Sequence, residues 1–192
     1  MLTDAISSQK SSLRNATLVR RDAMPAAERQ AAAETLAARG LPVDVSPGTI
    51  VSGFMPMKTE INPLPLMRKL AGEGVQLALP CIVGRGHPLI MRAYQFGDEF
   101  KAGQWGIREP LPEAPDVKPD IVLVPLACFD RTGQRIGYGA GYYDRTIAAL
   151  RAAKKITTIG LAFSLQEIPQ VPATEHDQRL DFVLTEKEIL RF

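Results

Sequence analysis

The sequence predicts an α/β fold in which helices cover both faces of a mostly parallel β-sheet. Residues 49–55 (TIVSGFM), 63–74 (PLPLMRKLAGEG) and 75–80 (VQLALP) follow one another with the patterns of a strand, a helix and a strand. A unit of this kind places its two strands parallel. Residues 120–125 (DIVLVP) are almost entirely apolar, which is typical of a parallel strand buried on both faces. We therefore expect a three-layer αβα architecture, with residues 1–192 in a single domain.

The other segments extend this alternation of helices and strands. Residues 4–22 lack glycine and proline and predict a first helix, and residues 26–39 predict a second that begins after a proline and ends before a glycine. Further strands are expected at LIMRAY, ITTIGLA and DFVLT, a helix at YYDRTIAALRAAKK, and a terminal helix from Glu186. The run from Phe96 to Pro119, which is rich in glycine and proline, predicts a long ordered loop.

Size and composition narrow the class of protein. Apolar residues make up 45% of the chain, enough for a full core, and the net charge of +2 does not indicate a nucleic-acid or membrane partner. The longest nearly uncharged apolar segment, 121–129, is far shorter than the roughly 20 residues of a spanning helix. Cys81 and Cys128 show no metal-ligand spacing and predict core positions in a reducing compartment. We expect a soluble, cytoplasmic protein.

The fold class also predicts where a ligand binds. In open α/β sheets, ligands bind beyond the carboxyl ends of the parallel strands. Two polar and glycine-containing segments occupy such positions, namely GFMPMKTE (53–60) after the first strand and LACFDRTGQRIGYGAGYYDR (126–145) after DIVLVP. We expect the functional residues in these two segments.

The glycine segment, RIGYGAGYYDR, has two possible roles. Its glycines, Gly137, Gly139 and Gly141, would let backbone amides approach a ligand, and the helix after them would direct free N–H groups to the same point, which suits a phosphate. Arginines at both ends add positive charge. The segment lacks the Gly-Lys-Ser/Thr ending of a P-loop and the spacing of the dinucleotide fingerprint. The residues alone leave open whether it is a flexible turn or a phosphate-binding loop.

Charged residues near this segment have similar alternatives. Asp144 would lie in the first turn of a helix, where it either favours the helix dipole or binds Mg²⁺. Lys10 and Arg14 lie four residues apart on one helix face, which is either a solvated face or a site for an anion. Arg20 and Arg21 are interpreted as surface charge.

A resemblance to a known family covers nearly the whole chain. VPLACFDRTGQRIGYGAGYYDR (124–145) closely resembles the signature of the 5-formyltetrahydrofolate cyclo-ligase family, also called 5,10-methenyltetrahydrofolate synthetases. Four other segments are similar to the family in the expected order: KSSLR (10–14), MPMKTEIN (55–62), WGIREP (105–110) and PATEHDQRLDFVLTE (172–186). The resemblance implies a fold related to the NagB/RpiA/CoA-transferase-like architecture.

The resemblance also implies a reaction. In it, 5-formyltetrahydrofolate becomes 5,10-methenyltetrahydrofolate, with ATP as co-substrate, Mg²⁺ as cofactor, and release of ADP and phosphate. The γ-phosphoryl group would pass to the formyl oxygen, and N10 would then close the ring as phosphate leaves. Such a transfer needs positioning and neutralisation of charge more than covalent help from the protein. The expected partners are these small molecules, without nucleic acid or membrane, and the family favours a monomer.

The resemblance assigns the nucleotide contacts to the first helix and the glycine segment. The implied ATP-binding residues are Lys10, Ser11, Ser12, Leu13, Arg14, Arg135, Ile136, Gly137, Tyr138, Gly139, Ala140, Gly141, Tyr142 and Tyr143. Arg135 and Tyr143 are the implied catalytic residues. Ala140 departs from the family, whose members often carry glycine or lysine there, and it is tolerated if its φ is negative.

The folate and metal sites follow in the same way. The implied substrate-binding residues are Met55, Glu60, Trp105, Tyr138, Gly139, Ala140, Gly141 and Tyr142. Asp144 and Asp181 are implied as the Mg²⁺ ligands. His176 and Asp177 are interpreted as scaffold, with a general base as the minority alternative.

Two other classes of function are compatible with parts of the sequence. A sugar-phosphate isomerase or CoA-transferase-like enzyme would share the α/β architecture and would not depend on a nucleotide. A non-catalytic nucleotide- or RNA-binding module would use the basic first helix and the tyrosines. The nearly neutral charge and the lack of an RNA-binding signature argue against the second class.

Overall fold

The computed structural model describes residues 2–192, which contain four α-helices and eleven β-strands. The helices are α1 (Leu2–Asp22), α2 (Ala26–Arg39), α3 (Leu64–Gly72) and α4 (Tyr142–Ala153). The strands are β1 (Ile50–Ser52), β2 (Gln76–Cys81), β3 (Ile90–Tyr94), β4 (Phe100–Ala102), β5 (Arg108–Pro110), β6 (Ile121–Pro125), β7 (Cys128–Phe129), β8 (Arg135–Ile136), β9 (Thr157–Leu161), β10 (Phe182–Leu184) and β11 (Ile189–Arg191).

A seven-stranded sheet in the order β11-β10-β9-β6-β1-β2-β3 organises the chain. The five inner strands pair in parallel, and β3 and β11 close the two edges as antiparallel strands. The predicted strand-helix-strand unit is confirmed, since β1 and β2 pair in parallel across α3. The prediction of a mostly parallel sheet is also confirmed.

Helices cover both faces of this sheet. Successive residues of β6 alternate between two cores, because side chains along a strand point to opposite faces. Leu123 packs in the core beneath α2 and α3, whereas Val122 and Val124 pack with Ile147 of α4 on the other face. Helix α1 packs through Leu13 against the cluster around β7 and β8. No helix in residues 2–192 is long and apolar enough to cross a membrane.

The prediction of a terminal helix from Glu186 is wrong. Thr185 and Glu188 form a tight turn that reverses the chain, and β11 then pairs with β10 with Val183 opposite Leu190. Leu190 is buried whereas the residues on either side of it are exposed, which is the alternation of a half-buried strand. The last residues therefore form a strand because they pair with the open edge of β10.

The segment predicted as a long loop contains a β-hairpin. Strands β4 and β5 pair antiparallel, with Phe100 opposite Pro110, and a short 3-10 turn at Gln104–Gly106 joins them. Trp105 in this turn has a φ of 56°, a left-handed conformation that is uncommon for a bulky residue. The hairpin carries Trp105 to the carboxyl edge of the central sheet.

Candidate functional site

A cavity of about 590 Å³ opens at the carboxyl edge of the sheet. This volume lies in the usual range for small-molecule sites. Its walls come from α1, the segment after β1, the end of β2, the β4–β5 hairpin, the glycine segment and the start of α4. Both segments that the sequence predicted to be functional therefore contribute to one cavity.

Helix α1 brings two of its basic residues to the glycine segment. Lys10 Nζ donates to both carboxylate oxygens of Asp177, at 2.7 and 2.6 Å, and Arg14 Nη1 contacts the Gly137 carbonyl oxygen at 3.4 Å. Both side chains line the cavity. The face that the sequence left open as solvated or anion-binding is therefore turned toward the cavity.

The glycine segment needs glycine at two of its positions. Gly139 and Gly141 have φ values of 97° and 67°, which L side chains rarely adopt. Gly141 immediately precedes α4, so the free N–H groups of that helix begin at the loop. Among residues 2–192, only Lys58 and Trp105 combine a side chain with positive φ, so Ala140 has no strain of this kind.

Arg135, which is buried, forms an ion pair with the partly exposed Asp144 beside the loop. Its side chain is 3% exposed, and Nη2 donates to Asp144 Oδ1 at 2.8 Å. Nη1 donates to the Gln178 carbonyl oxygen, and the Gln178 amide donates to the same Asp144 oxygen at 2.9 Å. Because a buried ion pair is costly to break, this arrangement holds Asp144 and the segment around Gln178 together at the cavity.

Asp177 is a charged member of the same wall. Burial raises the pKa of its carboxyl group, but the hydrogen bonds from Lys10 and from the amide and hydroxyl of Thr174 more than offset this and leave the pKa below its usual value. Asp177 is therefore a carboxylate at neutral pH. Sequence reasoning assigned it to the scaffold, but it lines the cavity together with Asp144.

Asp144 and Asp181, which the resemblance implies as the Mg²⁺ ligands, lie at opposite edges of the sheet. Asp181 immediately precedes β10 at the amino edge of the sheet, where Oδ2 accepts from the amide and hydroxyl of Thr158, both at 2.7 Å. It also contacts Arg151 at 3.3 Å, which lies two turns, or about 10 Å, along α4 from Asp144. Asp177 and Asp181 are only four residues apart. The path of the chain into β10 therefore explains why they lie at different edges of the sheet.

A second network joins α1, the glycine segment and the loop after β1. Arg21 Nη1 donates to the Tyr138 hydroxyl oxygen at 2.6 Å, and Nε donates to Thr59 Oγ1 at 3.1 Å. Arg21 is 3% exposed, so its interpretation as surface charge is wrong. The Tyr138 hydroxyl and the charge of Arg21 both act to lower the pKa of the nearby Glu60 carboxyl group.

Glu60 is partly buried. Burial raises the pKa of its carboxyl group, and the hydrogen bonds from Tyr138 and the Met57 amide, together with the charge of Arg21, oppose the rise. The 2.7 Å bond from Met57 holds the carboxylate in the turn after β1. Burial also raises the pKa of Tyr143, which is therefore a neutral phenol at physiological pH.

The β4–β5 hairpin forms a wall that sequence reasoning described only in part. Trp105 is 66% exposed, and its ring meets that of Tyr142 edge to face, with centroids 6.3 Å apart. Glu109 of β5 also lines the cavity, and its Oε1 accepts from the Ile82 amide at 3.0 Å. Sequence reasoning missed Glu109, because it interpreted this segment as a loop.

The cavity thus has two chemically different ends. The cationic end is formed by Lys10, Arg14, Arg135, the glycine segment, Asp144 and Asp177. The apolar end is formed by Phe54, Met55, Pro80, Ile82, Trp105 and Ile107, together with the carboxylates of Glu60 and Glu109 and the charge of Arg21 near Glu60. Within residues 2–192, no three His, Cys, Asp or Glu side chains cluster as a metal site. A cation at this cavity would therefore need ligand oxygens as well.

The sequence and the fold match one family. The model of the 5-formyltetrahydrofolate cyclo-ligase family matches residues 6–186. A 5-formyltetrahydrofolate cyclo-ligase of Mycolicibacterium smegmatis is 33% identical over 93% of this chain and 94% of its own. One of Escherichia coli is 30% identical over 72% of this chain and 79% of its own.

Solved structures agree with the sequence relatives. The 5,10-methenyltetrahydrofolate synthetase of Aquifex aeolicus superposes with a TM-score of 0.78 at 29% identity, covering 95% of this chain and 92% of that one. The synthetase of Mycoplasma pneumoniae, at 22% identity and a TM-score of 0.72, covers 92% and 98% and shares the fold. The chain is therefore an enzyme of the ligase class and belongs to the 5-formyltetrahydrofolate cyclo-ligase family.

Proposed function

We propose that the protein converts 5-formyltetrahydrofolate and ATP to 5,10-methenyltetrahydrofolate, ADP and phosphate, with Mg²⁺ as cofactor. The observation that carries this proposal is the single cavity whose cationic end adjoins an apolar end. A polyphosphate and a flat, mostly apolar ring system would meet in such a cavity. The family membership supports the same substrate.

The cationic end suits the triphosphate of ATP. The loop of Gly137, Gly139 and Gly141 leads directly into the amino end of α4, so amide hydrogens and the helix dipole act at the same place. Lys10 and Arg14 add positive charge from α1. The other implied nucleotide contacts, Ser11, Ser12, Leu13 and residues 135–143, are proposed with them.

Asp144 and Asp177 are the carboxylates that fit a magnesium ion. Mg²⁺ at phosphate sites is held by one or two carboxylates, with phosphate oxygens and waters completing its octahedron. Both aspartates line the cavity, and each has a basic partner, Arg135 and Lys10 respectively, that would also attract phosphate. When bound, the ion would neutralise charge on the phosphates during transfer.

The chemistry requires the formyl oxygen to become a leaving group. Transfer of the γ-phosphoryl group to that oxygen breaks the bond to ADP and gives an imidate phosphate at N5. N10 then attacks the same carbon, the ring closes, and the carbon–oxygen bond breaks to release phosphate. Arg135, held rigidly by Asp144, would stabilise charge on the transferred group, and the neutral hydroxyl of Tyr143 would donate a hydrogen bond.

The apolar end would hold the reduced pterin. Met55 and Trp105 would contact its faces, Glu60 would accept from one of its N–H groups, and residues 138–142 would lie where phosphate and folate meet. We further propose that the protein acts on these small molecules as a cytoplasmic monomer, without a nucleic-acid or membrane partner.

One assay tests the proposal. The protein is incubated with 5-formyltetrahydrofolate, ATP and Mg²⁺ while ADP and the absorbance of the methenyl product are followed. Equal amounts of both products are expected, and neither when the folate, ATP or Mg²⁺ is omitted. Release of ADP without folate, or no turnover at all, would contradict the proposal and favour another activity.

A further inference from the structure

A buried carboxylate at the apolar end has acceptor capacity that the protein does not use. Glu109 is 2% exposed and lines the cavity. Its Oε1 accepts from the Ile82 amide, and Oε2 lies 3.6 Å from Nζ of Lys101, whose side chain is 40% exposed. In the part of the chain that the structure describes, no hydrogen bond reaches Oε2. A carboxylate has about four acceptor positions, so most of those on Glu109 are open.

The backbone around Glu109 makes room for this carboxylate. A Cβ atom on Gly103 would lie 2.5 Å from Glu109 Cδ and 2.6 Å from Oε1. Gly103 stands on the hairpin between β4 and the turn that carries Trp105. Glycine at this position therefore allows the acidic group to pack inside the hairpin, with its carboxylate at the cavity wall.

Glu60, the other carboxylate at this end, is bonded differently. It accepts from the Met57 amide, and the Tyr138 hydroxyl and the charge of Arg21 both act on it. Glu109 accepts one backbone hydrogen bond and faces one partly solvated ammonium group. Because no hydrogen bond among the described residues reaches Oε2 of Glu109 and this residue lines the cavity, a ligand that brings donors finds open acceptor positions there.

The walls near Glu109 define the class of ligand. Pro80, Ile82 and Ile107 are apolar, and the rings of Trp105 and Tyr142 meet edge to face, which favours a flat heterocycle. A carboxylate in such a slot pairs with two adjacent N–H groups on a ring edge, as on an amidine. The 2-amino-4-oxopyrimidine ring of a pterin offers this pair, one N–H at N3 and one on the 2-amino group.

We propose that Glu109 recognises the 2-amino-4-oxopyrimidine edge of the substrate and selects against ligands that lack the 2-amino group. This inference rests on the proposed function, since it assigns one edge of the proposed substrate. Glu60 would then accept a hydrogen bond from another N–H group of the reduced ring system.

Calorimetric binding of 5-formyltetrahydrofolate and of its 2-desamino analogue tests the proposal. The full-length protein is expected to bind the parent about 10- to 100-fold more tightly, because one charge-assisted hydrogen bond is lost in the analogue. In Glu109→Gln the affinity for the parent is expected to fall by a similar factor, while the affinity for the analogue changes little. The variant should therefore bind the two folates about equally. The amide oxygen of Gln still accepts from Ile82, which favours retention of the fold.

The control is Glu99→Gln, which removes an exposed carboxylate just before β4 and should keep the preference. If Glu109→Gln fails to fold, Glu109→Asp replaces it, and the shorter side chain is expected to lose the preference as well. A variant at Glu109 that keeps the wild-type preference overturns the inference alone. A wild-type protein that binds neither folate overturns the proposed function as well.

Discussion

The two ends of the cavity hold their charged groups in opposite ways. At the cationic end, each acidic residue already has a basic partner from another element, as in the pairs Lys10–Asp177 and Arg135–Asp144. At the apolar end, Glu109 stands in a hydrophobic wall with one backbone donor and one solvated ammonium group. Paired acidic and basic side chains can bind a cation and an anion at the same place. A carboxylate with open acceptor positions instead favours a ligand that carries hydrogen-bond donors. We infer that the first end performs the transfer and the second chooses the substrate.

The largest effect is expected from Asp144→Asn, which alters the cationic end alone. The variant removes a proposed Mg²⁺ ligand and leaves Arg135, whose side chain is 3% exposed, without its charged partner. Turnover should fall by about two orders of magnitude or more, as is typical when electrostatic stabilisation of a transition state is lost. Steady-state kinetics with saturating substrates measures this, and unfolding curves confirm that the variant is folded. Full activity would refute the metal assignment.

A matched pair of variants distinguishes the two aspartates that precede β10. Asp177→Asn should raise the Mg²⁺ concentration for half-maximal activity about 10-fold or more, because one of only two proposed carboxylate ligands is gone. Asp181→Asn should leave the Mg²⁺ dependence unchanged and lower only the melting temperature, since its carboxylate accepts from Thr158 at the opposite edge. Kinetics at varied Mg²⁺ concentration measures both. The reverse result would restore Asp181 as the ligand.

A smaller effect is expected at the apolar end from Tyr138→Phe. The groups that act on Glu60 are Arg21 from α1, the Met57 amide, and Tyr138 and Tyr143 from the glycine segment and α4. The Tyr138 hydroxyl holds the pKa of Glu60 down, so this pKa should rise further when the hydroxyl is removed. If folate binding needs the carboxylate, the acidic limb of kcat/KM for folate moves to higher pH.

The same variant should separate the two substrates. The KM for folate is expected to increase about 3- to 10-fold, in line with the loss of one hydrogen bond to a charged group, and the KM for ATP should stay nearly constant. Initial rates from pH 5 to 9 with each substrate varied give both quantities. An equal change in both KM values would mean that Tyr138 acts on the whole loop rather than on Glu60.

The two ends of the cavity differ in how far the sequence could predict them. The difference depends on whether the residues of an end are contiguous or distant in the sequence. The glycine segment is contiguous, and the positive φ of Gly139 and Gly141 is a local reason for its composition. Arg21 is buried by Tyr138, 117 positions away, and nothing near Arg21 in the sequence indicates this. At β11, likewise, pairing with β10 outweighs the local preference for a helix.

The same reasoning applies to the acidic residues. Asp177 and Asp181 are one helical turn apart in sequence, and the direction of β10 alone decides which one reaches the cavity. Glu109 lies in a segment whose proline and glycine content predicted a loop, so the strand alternation that turns it inward was not used. Contacts between distant segments are the information that a single sequence does not display.

The smallest effect is expected far from both ends, at Asp120. Its carboxylate accepts from the Ile50 amide at 2.8 Å and from Lys154 at the amino edge of the sheet. Burial raises the pKa of Asp120, but the bonds from Lys154 and Ile50 outweigh this and leave the pKa lowered. A lowered native pKa stabilises the fold above the unfolded pKa, near 4, and this stability is lost as the pH falls further.

Asp120→Asn should therefore keep the kinetics of the wild type and change only acid stability. Unfolding by urea at pH 7 should require less denaturant for the variant, and the difference from the wild type should shrink as the pH falls below about 4. A difference that stays constant through this range would show that the carboxylate charge contributes nothing. A change in kcat would mean instead that the amino edge is coupled to the cavity. The cationic and apolar ends could then no longer be treated as independent of the rest of the fold.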